Sequence, residues 1–272
     1  MGIADALCPA WGRHAPEGPH VGCDQAAMPR VQCRFYAELN DFLPPQKRQV
    51  SFVHEVKGRA SVKDVIESLG VPHTEVDLIL VNGESVDFNY LVQEGDRIAV
   101  YPVFETLDIT PILRVRPHPL REPRFVVDGH LGRLAAYLRM LGFDTLYRND
   151  YTDAELARLS AEEGRILLTR DRGLLKRSQI THGYCLRNTA PREQAVEVLR
   201  RFDLFGLAHP FQRCLRCNSL LEEVAKEEVW DRLPPRTREE HDEFYRCPAC
   251  QQVYWKGSHY QRMARLVEHL LG

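Results

Sequence analysis

From residue 31 the chain alternates apolar and polar positions with a period of two, as VQCRFYAEL (31–39) and then VSFVHEV (50–56). That period predicts two paired, half-buried strands. SVKDVIESLGV (61–71) switches to helical spacing, with Ser61 as N-cap and Gly70 as the stop. VDLILVNGESV (76–86), with Asn82-Gly83 as a turn signal, and DRIAVYPV (96–103) return to strand character. The predicted order is strand, strand, helix, strand, strand.

The pattern changes again at residue 124. RFVVD (124–128), DTLYRND (144–150), RILLTRD (165–171) and GYCLRN (183–188) read as short strands. They are separated by the helical stretches GHLGRLAAYLRMLGF (129–143) and TDAELARLSAEEG (152–164) and by RGLLKRSQI (172–180), helical or a turn, and the helix PREQAVEVLRRFDLF (191–205) closes the series. Repeated strand–helix units predict a parallel sheet with helices on its faces, whose sites form outside the carboxyl ends of the strands. Residues 1–29 hold Gly, Pro and His without periodicity and read as a disordered tail, with Met28 as an alternative start. Residues 104–123 carry four prolines and read as a linker. The predicted organisation is therefore 1–29 tail, 30–103 strand-rich module, 104–123 linker, 124–208 α/β domain and 209–272 a cysteine-bearing segment.

Composition adds limits. The net charge of -2 gives no global attraction to nucleic acid, so any such affinity must come from local clustering. No run of 18 apolar residues exists, which predicts no membrane span. The N-terminus lacks the basic-then-apolar pattern of a secretory signal, and the expectation is a cytoplasmic protein.

Two predicted strands end in an acid, Asp128 and Asp171, and Asp153 opens the helix after the second strand. Parallel strands bring such acids to one edge, where hard oxygen donors suit Mg²⁺ or Mn²⁺. Asp153 also fits a plain helix start, since Thr152 and Glu155 form a capping box. Arginine crowds these acids: seven against three acidic residues over 113–148, and six basic residues against one acid over 165–187. Arg133, Arg170, Arg172, Lys176 and Arg187 are candidate phosphate-binding groups. A solvated surface of ordinary ion pairs is the competing reading for each of them. Cys214-x-x-Cys217 and Cys247-x-x-Cys250, 29 residues apart, predict a closed structural zinc site with an inserted loop between the pairs. WKGSHYQRM (255–263) mixes aromatic and basic residues, which serves either RNA stacking or docking of the ribbon on the α/β domain.

The first module's element order resembles the ubiquitin-like β-grasp fold, including small sulfur carriers. It ends in YPVFETL without the glycine pair that carriers activate. A packing module, or a protein partner bound through it, is the expectation. From residue 124 onward FVVDGHLGRLAAYLRMLGFDTLYRND, TDAEL, GRILLTRDRGLL and the ribbon CLRC…CPAC…VYWKGSHYQRM are similar to the Mut-seven carboxy-terminal RNase family, a branch of the PIN-like nucleases. The resemblance implies metal-dependent RNA cleavage, with the family's acids falling on Asp128, Asp153 and Asp171. Asn188 stands where a fourth acid is often found. The expected fold is thus α/β, a PIN-like parallel sheet with flanking helices, plus an N-terminal β-grasp (α+β) domain and a C-terminal zinc ribbon. The expected function is a Mg²⁺- or Mn²⁺-dependent ribonuclease acting on single-stranded or structured RNA such as tRNA. The alternative is a non-catalytic RNA-binding protein of the same fold.

Overall fold

The structure is a computed structural model, and it describes residues 28–102, 114–115 and 123–272. The predicted tail up to residue 27 and most of the predicted linker lie outside the described residues.

The first module holds β1 (Arg30–Phe35), β2 (Phe52–Glu55), α1 (Val62–Ser68), β3 (Leu78–Val81), β4 (Glu84–Ser85) and β5 (Arg97–Tyr101). Its sheet runs β2-β1-β5-β3-β4, with β1 and β5 parallel at the centre. This is a β-grasp. Ser61 caps α1 in a reciprocal capping box with Asp64. β1 is shorter than its alternation predicts. The chain turns at Ala37, where φ is 45°, into a 3-10 turn over Ala37–Phe42 that sends Leu39 and Phe42 into the core.

The second unit holds β6 (Phe125–Val127), α2 (Gly132–Met140), β7 (Thr145–Tyr147), α3 (Asp153–Glu163), β8 (Ile166–Thr169), α4 (Arg172–Leu175), β9 (Gly183–Cys185) and α5 (Pro191–Arg201). All strand pairs in its sheet, β7-β6-β8-β9, are parallel. The strands are too apolar to show an alternation because both faces are covered. Val126 and Leu167 face one side, and Phe125, Val127, Ile166 and Leu168 the other.

What covers those faces joins the whole chain. Val126 and Leu167 belong to one apolar cluster with Leu156 of α3 and with Phe35, Leu39, Ile66 and Ile79 of the β-grasp. The β-grasp module is therefore a lid on the parallel sheet. Polar contacts fix the contact. The Glu75 carboxylate is fully buried, accepts from the Cys185 backbone N–H at 2.5 Å and meets Arg187 Nη2 at 3.1 Å. His73 Nε2 lies 2.8 Å from the Ile180 carbonyl, and Lys176 Nζ donates to the Glu67 carbonyl at 2.7 Å.

The C-terminal unit holds β10 (Glu222–Val224), α6 (Lys226–Val229), α7 (Pro235–Glu240), β11 (Phe244–Arg246), β12 (Val253–Trp255) and α8 (Ser258–Leu271). The insert predicted as a loop is mostly helical. Pro235 starts α7, where a missing N–H costs nothing, and Val229 and Leu233 build a small core with Phe244 and Val253. Val267 and Leu270 of α8 join Leu134, Leu138 and Val198 on the second face of the parallel sheet. Within the 255–263 stretch Tyr260 lies against Phe211, with ring centroids 4.6 Å apart, and Met263 packs on the same cluster. No described helix is long and apolar enough to cross a membrane.

Candidate active site

β6 and β8 are hydrogen-bonded neighbours in register, Val127 beside Leu168. The next residue of each strand is the polar one, so Asp128 lands beside Thr169. The Thr169 hydroxyl is fully buried; it donates to Asp128 Oδ2 at 2.5 Å and accepts from the Asp171 backbone N–H at 2.9 Å. One hydroxyl therefore ties the two acid-bearing strand ends together. His130 Nδ1 sits 3.1 Å from Asp128 Oδ1. Asp171 caps α4: its Oδ1 accepts from the backbone N–H groups of Gly173 and Leu174 at 2.7 and 3.3 Å. The turn after Asp128 needs a residue without a side chain at Gly132, where a Cβ would stand 2.5 Å from the Tyr147 hydroxyl. That hydroxyl in turn donates to the Gly129 carbonyl at 2.9 Å.

Asp153 is placed differently. It is the first residue of α3, exposed, and faces Arg177 Nη2 at 3.3 Å, while Asp150 pairs with Arg148. Among the described residues the three acids do not gather within 4.8 Å as a set of metal-ligand atoms. The strand-end pair, Asp128 with Asp171, is what the fold brings together.

The candidate cations divide. A cleft of about 360 Å³ opens beside the acids, its wall starting one residue after Asp128 and including the residue just before Asp171. Arg133 and Arg170 line it with His130, Tyr147 and Thr189. Arg172, Lys176 and Arg187 turn instead to the β-grasp module. Arg172 and Arg187 both stack on Phe42 at 4.8 Å, Arg187 pairs with Glu75, and Lys176 caps the carbonyl of Glu67. Of the five candidate cations, two line this cleft. The other three were given to an interface between segments far apart in sequence. Asn188 is also occupied, donating through Nδ2 to Glu197 at 2.8 Å. Thr169 and His130 escaped the sequence reading. Their signal was adjacency alone, a hydroxyl two residues before Asp171 and an imidazole two residues after Asp128.

The four cysteines form the second site. Cys214 and Cys250 Sγ lie 3.5 Å apart and Cys217 and Cys247 Sγ 3.3 Å, with all four within 4.8 Å. A disulfide would hold its sulfurs at about 2.05 Å, whereas four thiolates about 2.3 Å from one zinc sit roughly 3.8 Å apart. Two matching knuckles build the set. The residue after each pair, Asn218 and Gln251, has positive φ and donates back to the carbonyl of Cys214 or Cys247 at 2.9 Å. Burial raises the Cys217 thiol, but hydrogen bonds from Ser219 outweigh it and bring it down to about 6, a thiolate ready for metal. This donor set fits a closed, structural zinc site.

The chain thus combines a parallel α/β sheet, bearing an aspartate at the end of each of two adjacent strands, with a four-thiol ribbon. The chain belongs to the Mut7-C RNAse domain family: residues 123–267 match that family's model, and residues 28–108 match the model of the Mut7-C ubiquitin domain. Among curated proteins it is similar to "Exonuclease mut-7 homolog" of Homo sapiens, 36% identical over 106 residues. That match covers 37% of this chain and 12% of the human protein's length. Two solved structures, of SAMP1 from Haloferax volcanii and of the H. volcanii small archaeal modifier protein 1, are matched at 19% and 20% identity. They cover 29% and 28% of this chain and 99% of their own, each with a TM-score of 0.23.

Proposed function

We propose that this protein is a Mg²⁺- or Mn²⁺-dependent ribonuclease whose catalytic acids are Asp128 and Asp171. The observation that carries the reading is the Thr169 hydroxyl bridging two acid-bearing strand ends beside a cleft lined by Arg133 and Arg170. The donor set fits a hard cation that keeps most of its waters and takes its remaining ligands from a substrate phosphate. When bound, such an ion supplies an activated water and offsets charge on phosphorus. The residues of this chain do the rest. Asp128 and Asp171 hold the ion, and Thr169 keeps the Asp128 carboxylate from turning away. Arg133 and Arg170 hold the RNA backbone by charge-assisted hydrogen bonds. His130, fixed to Asp128 through Nδ1, offers its Nε2 to a substrate oxygen. Asp153, paired with Arg177 at the start of α3, is left out of this acid pair. The substrate is single-stranded or structured RNA such as tRNA, and the setting is cytoplasmic.

Cleavage of a mixed RNA pool tests this, with wild type, Asp128→Asn and Asp171→Asn each assayed in Mg²⁺, in Mn²⁺ and without divalent ion. Each variant is expected to lose on the order of 10²-fold or more in rate, the scale seen when one preorganised charge-stabilising group is removed. Equal cleavage by all three proteins would sink the assignment. Tight RNA binding with no cleavage by wild type would favour the non-catalytic binding protein.

A further inference from the structure

We propose that the groove between α5 and the C-terminal end of α8 is a second phosphate subsite, which holds the RNA strand beyond the acid pair. The proposal rests on the ribonuclease reading. The groove encloses about 620 Å³, and its wall includes Arg192, Arg200, Arg201, His269, Asn188 and Glu38.

Arg201 is the anchor of the argument. Its side chain is only 6% exposed, yet its Nε and Nη1 have no hydrogen-bond partner. Glu38 Oε1 approaches Nη1 at 3.4 Å as an ion pair without closing a hydrogen bond. Leaving buried donors unmet is costly, and native structures rarely do so without a reason. The guanidinium is held in place by the rings of Tyr184 and Phe202, with centroids 5.4 and 5.9 Å away. Arg201 also contributes to the wall of the groove, and a fixed planar guanidinium of this kind matches the geometry of a phosphate.

Two more observations name the ligand as an RNA strand. First, the groove begins where the acid cleft ends. Asn188 lines the groove while Thr189 and Pro191 line the cleft, so the two share a rim at the start of α5. Second, three cations of one helix line the groove. Arg192, Arg200 and Arg201 lie on α5, with an axial rise of about 13 Å from first to last. Glu38, Glu193 and Glu197 also line the groove. Glu197 is already spent: it accepts from the Tyr184 hydroxyl, from the backbone N–H groups of Arg187 and Asn188, and from Asn188 Nδ2. Glu38 is tied to Arg201, and Glu193 sits exposed near the start of α5.

The test measures binding on the full chain carrying Asp171→Asn, so that RNA is not cut. The probes are labelled oligouridylates of 4 and 12 nucleotides. Adding Arg192→Gln and Arg200→Gln leaves the stacked Arg201 and the fold intact. The expected result is about a tenfold loss of affinity for the 12-mer, no loss for the 4-mer, and a salt slope shallower by roughly 0.7 for each phosphate contact removed. Adding Arg133→Gln instead weakens both lengths. Unchanged affinity and slope for the 12-mer, or equal losses at both lengths, would overturn the subsite while leaving the ribonuclease reading standing. Calorimetric binding of inorganic phosphate that the double substitution abolishes, with the 12-mer unaffected, would also overturn it and mark a free-anion site. Binding of neither oligonucleotide, together with no RNA cleavage by wild type, would remove the ribonuclease reading and the subsite with it.

Discussion

Glu75→Gln probes how the β-grasp module is joined to the α/β domain. The Glu75 carboxylate is fully buried at the contact and faces Arg187, whose side chain keeps 23% exposure. Burial pushes the Glu75 carboxyl up while Arg187 and Arg201 pull it down, and the Glu75 charge pushes Arg187 up in turn. Glutamine keeps the shape and an acceptor for the Cys185 N–H but removes the charge. Removing one partner of a buried ion pair costs about 3–5 kcal/mol because the other charge stays behind unpaired. The lower end applies here, since Arg187 is partly hydrated and has Asp41 as a second acid at 3.8 Å. With a urea m-value of about 3 kcal/mol/M, a loss of about 3 kcal/mol lowers the unfolding midpoint by roughly 1 M. Far-UV circular dichroism should report one shared transition, because one apolar cluster spans both units. Replacing the pair together, Glu75→Leu with Arg187→Met, should restore much of the loss, since an apolar pair of similar volume often equals a buried ion pair. Two separate transitions, with the substitution moving only one, would refute the reasoning. So would a midpoint shift below about 0.3 M, under a third of the expected cost at that m-value.

Three further outcomes are expected. Metal analysis of purified protein should find zinc held by Cys214, Cys217, Cys247 and Cys250; chelation should unfold the ribbon and lower Tm for the whole chain, because α8 packs on the α/β core. A chelator that leaves Tm unchanged would contradict this. Gly142→Ala should cost about 2 kcal/mol or more, since φ is +97° and a Cβ would stand 2.2 Å from the His209 carbonyl oxygen; thermal denaturation checks it. Burial alone would raise Asp144, but hydrogen bonds from Arg165 and Asn218 and the charge of Arg213 outweigh it and hold the carboxyl below its ordinary value. A lowered folded-state value means that this stabilisation is complete above about pH 4 and is lost as pH falls through the lower folded value. Acid titration of stability should therefore be shallower below about pH 4 in Asp144→Asn than in wild type.

Much of this protein was written locally. The period-two runs, the Ser61 and Thr152 capping boxes, the Asn82-Gly83 turn and the two CxxC knuckles each depend on residues within a few positions of one another, so short-range pattern suffices to read them. The aspartates at the ends of β6 and β8 were legible for the same reason, because strand type and parallel order follow from apolar runs alternating with helices. Tertiary structure decided what each polar side chain would face. Arg187 and Lys176 stand out in sequence only as cations, and the fold sets each against a partner about 110 residues away. Thr169 became the bridge between the acids only because β6 and β8 pair in one register and no other. The β-grasp could be recognised from its element order, but its place as the cover of a parallel sheet could not. Burial of one apolar face against another is non-directional, and which faces meet is set by the whole folded chain rather than by either segment alone.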